Sequence, residues 1–151
     1  MTNNDSKASN QARIRELTEA VTEAVHSKNL DGLMTNYAPD VVSYDALDPL
    51  QYVGQAESRK RAEEWFSSYR TPIGFEISDL SITAGDDVAF CHYLYHVSGT
   101  LNDGGKVDMW VRSTVCYSKI DGKWMITHQH TSVPFNGESG KASLNLKPKY
   151  R

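Results

Sequence analysis

Two kinds of side chain in this sequence are suited to acid–base chemistry. Asp45 ends a short apolar run, residues 41–45, that is typical of a β-strand. A carboxylate at the end of a strand can accept a proton from carbon if it faces a cavity; in the simpler alternative it bonds a turn amide. The sequence also holds histidines, whose charge changes near physiological pH: His26, His92, His96, His128 and His130.

The histidines and cysteines do not form a recognisable metal motif. His128 and His130 lie two residues apart and share one face of a strand with Trp124 and Ile126. A zinc site needs a third protein ligand, and the sequence marks none. The two cysteines, Cys91 and Cys116, lack Cys-x-x-Cys spacing and are expected to be buried free thiols. We therefore expect neither a metal nor another cofactor.

The side chains named above must be held in place by helices and strands. In the N-terminal half of the chain, much of the sequence has the periodicity of helices. A first helix is predicted after a cap at Ser9 or Asn10, because apolar residues then recur every three or four positions: Ile14, Leu17, Val21 and Val25. A later helix is predicted over residues 55–69, and its apolar face includes Trp65.

Between these helices and beyond them the pattern changes. A short helix is predicted to carry Tyr37 on its apolar side and to end before Pro39. From Phe75 onward, apolar residues alternate with polar ones, which predicts antiparallel strands joined by tight turns. These strands cover residues 75–82, 88–101, 106–120 and 123–133.

The composition is that of one ordinary globular domain. The chain has 151 residues, and 16 Lys+Arg against 19 Asp+Glu give a net charge of −3. This mildly acidic balance argues against nonspecific nucleic-acid binding. No apolar run approaches the roughly 20 residues of a membrane helix. Because the N-terminus also lacks a signal-peptide pattern, we expect a cytoplasmic protein with no membrane partner.

Helices followed by a meander of strands predict an α+β fold. We expect a cone-shaped roll in which about three N-terminal helices pack on a strongly curved mixed or antiparallel sheet, with a pocket at the open end. Residues 1–9 are expected to be a flexible N-terminus, residues 10–135 the folded domain, and residues 136–151 a flexible tail rich in Gly, Ser and Lys.

Two segments resemble a known superfamily. Residues 37–45 read Tyr-Ala-Pro-Asp-Val-Val-Ser-Tyr-Asp, and residues 121–134 read Asp-Gly-Lys-Trp-Met-Ile-Thr-His-Gln-His-Thr-Ser-Val-Pro. Both are similar to the nuclear-transport-factor-like, or SnoaL-like, superfamily, which has a cystatin-like fold. It includes ketosteroid isomerase, polyketide cyclases, scytalone dehydratase and the association domain of calcium/calmodulin-dependent protein kinase. The resemblance implies that Asp45 is the general base, whereas Val21 and Val111 replace the isomerase's oxyanion donors.

The resemblance also implies which strand faces line the pocket. The face that carries Phe90 and His92 is expected to point inward, where His92 would be a general acid or, alternatively, a core histidine. Gln129 and Thr131 are expected to face the pocket, which leaves the two histidines of that strand on the opposite face. The other residues expected to line the pocket are Tyr37, Trp65, Met109 and Ser113. For the aromatic residues Tyr37 and Trp65, the alternative role is packing in the hydrophobic core.

The outer face of the sheet carries the alternative site. Trp110 and Arg112 are expected to lie there with His128 and His130. Because this set is too apolar and aromatic to be exposed to solvent, we predict that the face is covered in a homodimer. A β-bulge would reverse these faces, because one inserted residue turns every later side chain around. Arg112 and the two histidines would then form a basic pocket for an anionic ligand.

Two functions are compatible with these residues. The first is a small-molecule pocket protein that acts as a cofactor-independent isomerase, cyclase or dehydratase on a small apolar carbonyl compound. Asp45 would be its base, and His92 or Gln129 its donor. The alternative is a non-catalytic domain that binds a ligand or self-associates, as the resemblance to the kinase association domain implies.

Overall fold

The helices of the protein lie in the N-terminal half. The computed structural model describes residues 3–149, and within them the helices are α1 Asn3–His26, α2 Leu30–Met34 and α3 Gln55–Ser67. Helix α1 begins well before the predicted cap at Ser9. Residues 3–9 contain no proline or glycine, so each of them extends an existing helix and adds a hydrogen bond without a new nucleation cost.

Helix α2 is shorter than predicted. Asn29 caps it by accepting a backbone hydrogen bond, but only 5 residues are helical. Tyr37, predicted on this helix, instead begins strand β1, Tyr37–Tyr44. Pro39 lies inside β1, where pairing with the neighbouring strand is irregular between Tyr37 and Val42. Proline has no N–H to donate to a ladder, so the irregularity falls where the sequence requires it.

The strands form one mixed sheet. They are β1, then β2 Tyr52–Val53, β3 Gly74–Ala84, β4 Val88–Thr100, β5 Lys106–Ile120 and β6 Lys123–Ser132. Their order across the 6-stranded sheet is β2-β1-β6-β5-β4-β3. Strands β3 to β6 form the predicted antiparallel meander, and β1 joins its edge by pairing parallel with β6. The α+β prediction with a mixed sheet is confirmed.

Turns and bulges shape this sheet. Asp121 and Gly122 join β5 to β6 with φ values of 51° and 78°, the left-handed geometry that a two-residue hairpin requires. Register shifts interrupt the β3–β4 pairing between Ser78 and Ser81 and the β5–β6 pairing between Cys116 and Tyr117. Such bulges increase local twist and bend a sheet.

The hydrophobic core lies between the helices and one face of the sheet, the inner face. Helix α1 contributes buried residues at helical spacing, including Ile14, Leu17 and Val25. The inner face is lined by aromatic and β-branched residues that alternate along the strands: Cys91, Tyr93, Val97, Val111, Val115, Tyr117, Trp124 and Ile126. The opposite, outer face is exposed or half-buried in this chain.

The predicted facing of strand β4 is wrong. Phe90 is 47% exposed and His92 is also exposed, because both lie on the outer face. Directly paired residues in an antiparallel ladder share a face, and β4 pairs Phe90 with Cys116 and His92 with Thr114. The hairpin register therefore turns Phe90 and His92 to the same side as Thr114.

The C-terminal segment folds back on itself. Phe135 bridges Ala142, and the amide of Ser143 donates to the carbonyl of Pro134 at 2.8 Å. Further along, the positive charge of Lys147 contributes to lowering the pKa of Asp108, which His96 lowers more strongly through a hydrogen bond. These contacts bring the segment to the start of β5; its mobility stays a prediction. Within residues 3–149, no helix is long and apolar enough to cross a membrane.

Candidate functional site

Asp45 lies directly after strand β1, and three groups donate to its carboxylate. The Arg61 Nε donates to its Oδ2 at 2.8 Å, and the hydroxyl of Thr131 donates to its Oδ1 at 3.4 Å. The backbone amide of Leu47 lies 3.5 Å from Oδ1, which is the turn contact of the simpler alternative. The side chains of Arg61 and Asp45 remain 22% and 24% exposed. The carboxylate is therefore ion-paired and reachable from solvent, rather than set in the mostly apolar cavity that the sequence predicts.

Strand β6 presents its polar residues to this site through a bulge. Tyr117 pairs with Ile126, but its neighbour Cys116 pairs with His128, so Thr127 is the extra residue. Trp124 and Ile126 consequently lie on the inner face while His128 lies on the outer face, so the prediction that they share a face is wrong. Beyond the bulge, Gln129 and Thr131 point inward as predicted, because they pair with the buried residues Val115 and Ser113.

Two tyrosines complete the site. The buried hydroxyl of Tyr37 donates to Gln129 Oε1 at 3.0 Å. Burial raises the pKa of Tyr37 to about 12; the Gln129 hydrogen bond opposes this, and the charge of Asp45 adds to it. Burial also raises the pKa of Tyr95, again with a contribution from Asp45 and an opposing one from Arg61. Both phenols are therefore neutral hydrogen-bond donors at neutral pH.

Tyr95 differs from Tyr37 in having its hydroxyl unused. Within residues 3–149, no protein group forms a hydrogen bond with it. Every fully buried side-chain nitrogen or oxygen in this part of the chain does have a partner, so the Tyr95 hydroxyl is not completely enclosed by protein. We call the whole set the Asp45 cluster: Tyr37, Asp45, Arg61, Tyr95, Gln129 and Thr131.

An aromatic wall adjoins the cluster. The rings of Phe75 and Tyr95 stack with centroids 4.4 Å apart, and Trp65 meets Phe75 edge-on at 6.5 Å. Trp65 lies one helical turn after Arg61 on α3, so both side chains are on the same helix face. Trp65 therefore lies on the helix face that carries Arg61, within a packed aromatic group; its role in a pocket stays a prediction.

Other predicted site residues lie elsewhere. Ser113 is buried deeper in the sheet, where it hydrogen-bonds Tyr93, and half-buried Met109 packs against the core. Phe90 and His92 lie on the outer face, so the sheet separates them from Asp45. His92 therefore cannot be the donor that works opposite Asp45.

The basic residues of the outer face do not form an inward pocket. Arg112 is exposed and its Nε donates to Ser132 Oγ at 3.0 Å. His130 is exposed, whereas His128 is half-buried and its Nδ1 lies 2.7 Å from the carbonyl of Val42. Among the described residues, no three His, Cys, Asp or Glu side chains are grouped so as to hold a metal ion.

Sequence reasoning missed Arg61 and Tyr95. Arg61 occurs in an otherwise apolar stripe with Ala62, Trp65 and Phe66. A charged side chain on such a helix face indicates a nearby group of opposite charge, because a partly buried charge is costly unless it is paired. Tyr95 belongs to the alternating set that was assigned outward. That set, which also includes Cys91, Tyr93 and Val97, is the more uniformly apolar of the two on β4.

Two cavities in the described part of the chain lie away from the Asp45 cluster. A cavity of about 30 Å³ lies between α1, α2 and the sheet, lined by residues that include Leu17, Leu33 and Tyr117. A wide depression of about 470 Å³ lies on α3 at Lys60 and Glu63. The first has room for water only. The candidate site is therefore defined by its side chains and their access to solvent.

Helices on one face of a mixed sheet define an α+β roll, and the comparisons identify its family. Residues 14–136 match the model of the SnoaL-like domain. A protein of unknown function with an NTF2-like fold, from Pseudomonas putida KT2440, is 31% identical; the alignment covers 93% of this chain and 98% of that one, with a TM-score of 0.86. The chain belongs to the SnoaL-like family, which confirms the resemblance seen in the sequence.

More distant solved structures share the fold alone. A candidate association domain of calcium/calmodulin-dependent protein kinase II from Xanthomonas campestris is 24% identical over 80% of this chain and 84% of that one, with a TM-score of 0.69. A candidate dehydratase of the NTF2-like family from Streptomyces avermitilis is 15% identical over 83% and 97%, with a TM-score of 0.73. No curated protein matches the chain.

Proposed function

We propose that this protein catalyses proton transfer on a small, largely apolar carbonyl compound, with Asp45 as the base. One observation carries the proposal: a solvent-accessible carboxylate is oriented by Arg61 at 2.8 Å beside tyrosine hydroxyls that stay protonated. This is the pairing that proton abstraction next to a carbonyl needs, since one group takes the proton while another donates to the oxygen that becomes negative.

Tyr95 is the donor in this proposal, instead of His92, which lies on the outer face of the sheet. Its hydroxyl has no partner in residues 3–149, so a ligand oxygen would not have to displace a protein group. The hydroxyl of Tyr37 is already committed to Gln129, which makes it a support for the site. Asp45 would take the proton from carbon and return it to a neighbouring carbon for isomerisation, or release it with a leaving group for dehydration.

The test is hydrogen–deuterium exchange at carbon next to the carbonyl. A panel of small cyclic and aromatic ketones is incubated with the protein in D2O and followed by proton NMR. We expect exchange on some of these compounds, with Asp45→Asn slowing it about a hundredfold or more. Tyr95→Phe should slow it about tenfold or more through loss of one donor to the oxyanion.

Matched variants control for charge and folding. Asp48→Asn removes a nearby carboxylate that is exposed, and His92→Ala removes the outer-face histidine; both should exchange at the wild-type rate. Equal exchange by the wild type and Asp45→Asn would contradict the proposal. Far-ultraviolet circular dichroism of each variant shows whether the fold is intact.

The non-catalytic alternative is that the Asp45 cluster binds a ligand without transforming it. The cavity of about 30 Å³ lies away from Asp45 and has room for water only. Under this alternative, ketones shift the NMR signals of the Asp45 cluster but exchange no faster than in buffer. That outcome would favour a binding domain over an enzyme.

A further inference from the structure

We infer that the compound bound at the Asp45 cluster carries a carboxylate, and that Arg61 is the residue that recognises it. The inference rests on the proposed function in one respect, that the ligand binds at the Asp45 cluster. It concerns the chemical class of the ligand and not the reaction. It makes Arg61 a specificity-determining residue for small aromatic or cyclic acids.

The hydrogen-bonding capacity of Arg61 is mostly unused. A guanidinium has five N–H donors, and here the Nε donor binds Asp45 Oδ2 at 2.8 Å. Within residues 3–149, no group accepts from its two terminal nitrogens. The side chain as a whole is 22% exposed, so part of the guanidinium faces solvent.

The Asp45–Arg61 pair leaves the carboxylate-binding edge of the guanidinium open. A bidentate pair would use two parallel N–H···O bonds, whereas Asp45 gives only Oδ2 to Arg61 and accepts from Thr131 at Oδ1. The edge formed by the two terminal nitrogens fits a planar carboxylate. A ligand acid can therefore add to the pair without displacing Asp45.

The surroundings of Arg61 provide for the apolar part of such a ligand. Trp65 lies one turn further on the same face of α3, and the stacked Phe75–Tyr95 pair adjoins it. Leu47 follows Asp45 by two residues, and its side chain is 62% exposed. The rings of Trp65 and Tyr95 are half-buried, so they leave apolar surface that the apolar end of an anionic ligand could contact.

The carboxylate of Asp45 weakens the binding of an acidic ligand. The carboxylate of Asp45 would repel the ligand carboxylate across Arg61, so the two compete for one positive charge. Arg59, two residues earlier, has no such role, since it is exposed and pairs with Asp31. It is the matched control for a general effect of positive charge on α3.

The experiment measures binding of benzoate and phenylacetate against their neutral amides by calorimetry and ligand-observed NMR. We expect each acid to bind about tenfold or more tightly than its amide, as one charge-assisted contact allows. Arg61→Gln should remove this preference, Arg59→Gln should keep it, and Asp45→Asn should tighten binding of the acids. Arg61→Lys keeps the charge without the planar edge and should give an intermediate preference.

Equal affinity of acid and amide for the wild-type protein would overturn the inference, whatever any variant does. So would an unchanged preference in folded Arg61→Gln or, if that variant does not fold, a full preference in Arg61→Lys. The outcomes separate the two proposals. Acids that bind through Arg61 without carbon exchange contradict only the proposed function, whereas Asp45-dependent exchange on ketones with no acid preference contradicts only this inference.

Discussion

At the residue scale, the interior of the protein is marked by tyrosines that are buried but still polar. Tyr93 is bonded to Ser113, and Tyr117 lies 3.4 Å from the hydroxyl of Thr18. Burial is the largest cause that raises the pKa of Tyr37, Tyr93, Tyr95 and Tyr117. The inner face is thus a set of neutral donors held in an apolar setting.

These pKa values predict a loss of stability in alkali. The unfolded chain releases each tyrosine proton near pH 10, while folded Tyr37 keeps its proton up to about 12. Between these values the unfolded state binds fewer protons, so the free energy of unfolding falls as pH rises. The stabilisation from the neutral form is fully present below pH 10 and is lost as the pH approaches 12.

The measurement is denaturant unfolding at several pH values, together with tyrosinate absorbance. Tyr37→Phe should lower stability at neutral pH, because Gln129 loses its donor, and should make the alkaline decline less steep. A wild-type protein whose stability is the same at pH 9 and pH 11.5 would contradict this account.

At the element scale, helix α3 is the part that makes the site, because it carries both Arg61 and Trp65. Its C-terminal end is fixed to strand β4 by Tyr69, which is buried and bridges Leu101. Gly99 allows that approach: its φ is 152°, and an added Cβ would lie 2.8 Å from Tyr69 Cδ2. The docking of α3 thus depends on a residue far from Asp45 in sequence.

Gly99→Ala should therefore destabilise the protein by about 2 kcal/mol, since overpacking and the backbone conformation act together. It should also weaken ligand binding at the Asp45 cluster as Tyr69 and α3 shift. Chemical denaturation gives the first quantity and ligand-observed NMR the second. Gly137→Ala is the control, because nothing lies within 4 Å of its added Cβ and it should change neither.

At the scale of the whole molecule, the outer face of the sheet carries exposed and half-buried aromatic side chains. It carries Phe90 at 47% and Tyr44 at 39% exposure, and the rings of His96 and Trp110 stack there at 5.1 Å. An aromatic and apolar face of this kind is typical of an interface. The homodimer predicted from the sequence would use this face.

Light scattering should accordingly give about twice the chain mass of 16.9 kDa at micromolar concentration. Phe90→Asp places a charge on this face and should yield the monomer. Ala56→Asp adds the same charge at an exposed position of α3, on the helix side of the sheet. This variant should remain a dimer. A wild-type mass equal to that of one chain would refute the homodimer.

Much of the architecture was readable from local sequence pattern. The helical spacing of Ile14, Leu17 and Val25 and the alternation after Phe75 depend only on neighbours along the chain. So does the turn at Asp121–Gly122, where the residue types suit left-handed backbone. The position of Asp45 at the end of a strand was likewise correct, because short-range pattern determines where a strand stops.

Only the tertiary structure decided which side chains meet. The facing of β4 follows from its register with β5, which opposes His92 to Thr114, and the facing of β6 changes at one extra residue, Thr127. Arg61 reaches Asp45 because β2 and α3 fold back over β1. The alternation of apolar and polar residues defines the two faces of a strand, but it does not determine which face the helices cover. That depends on long-range strand pairing and on a single inserted residue. The sequence by itself determined most of α1 and α3, the four strands of the meander and a candidate base. Tertiary packing decided that Tyr37 begins a strand. It also decided that Arg61 and Thr131 reach the base, and that Tyr95 rather than His92 lies on the inner face.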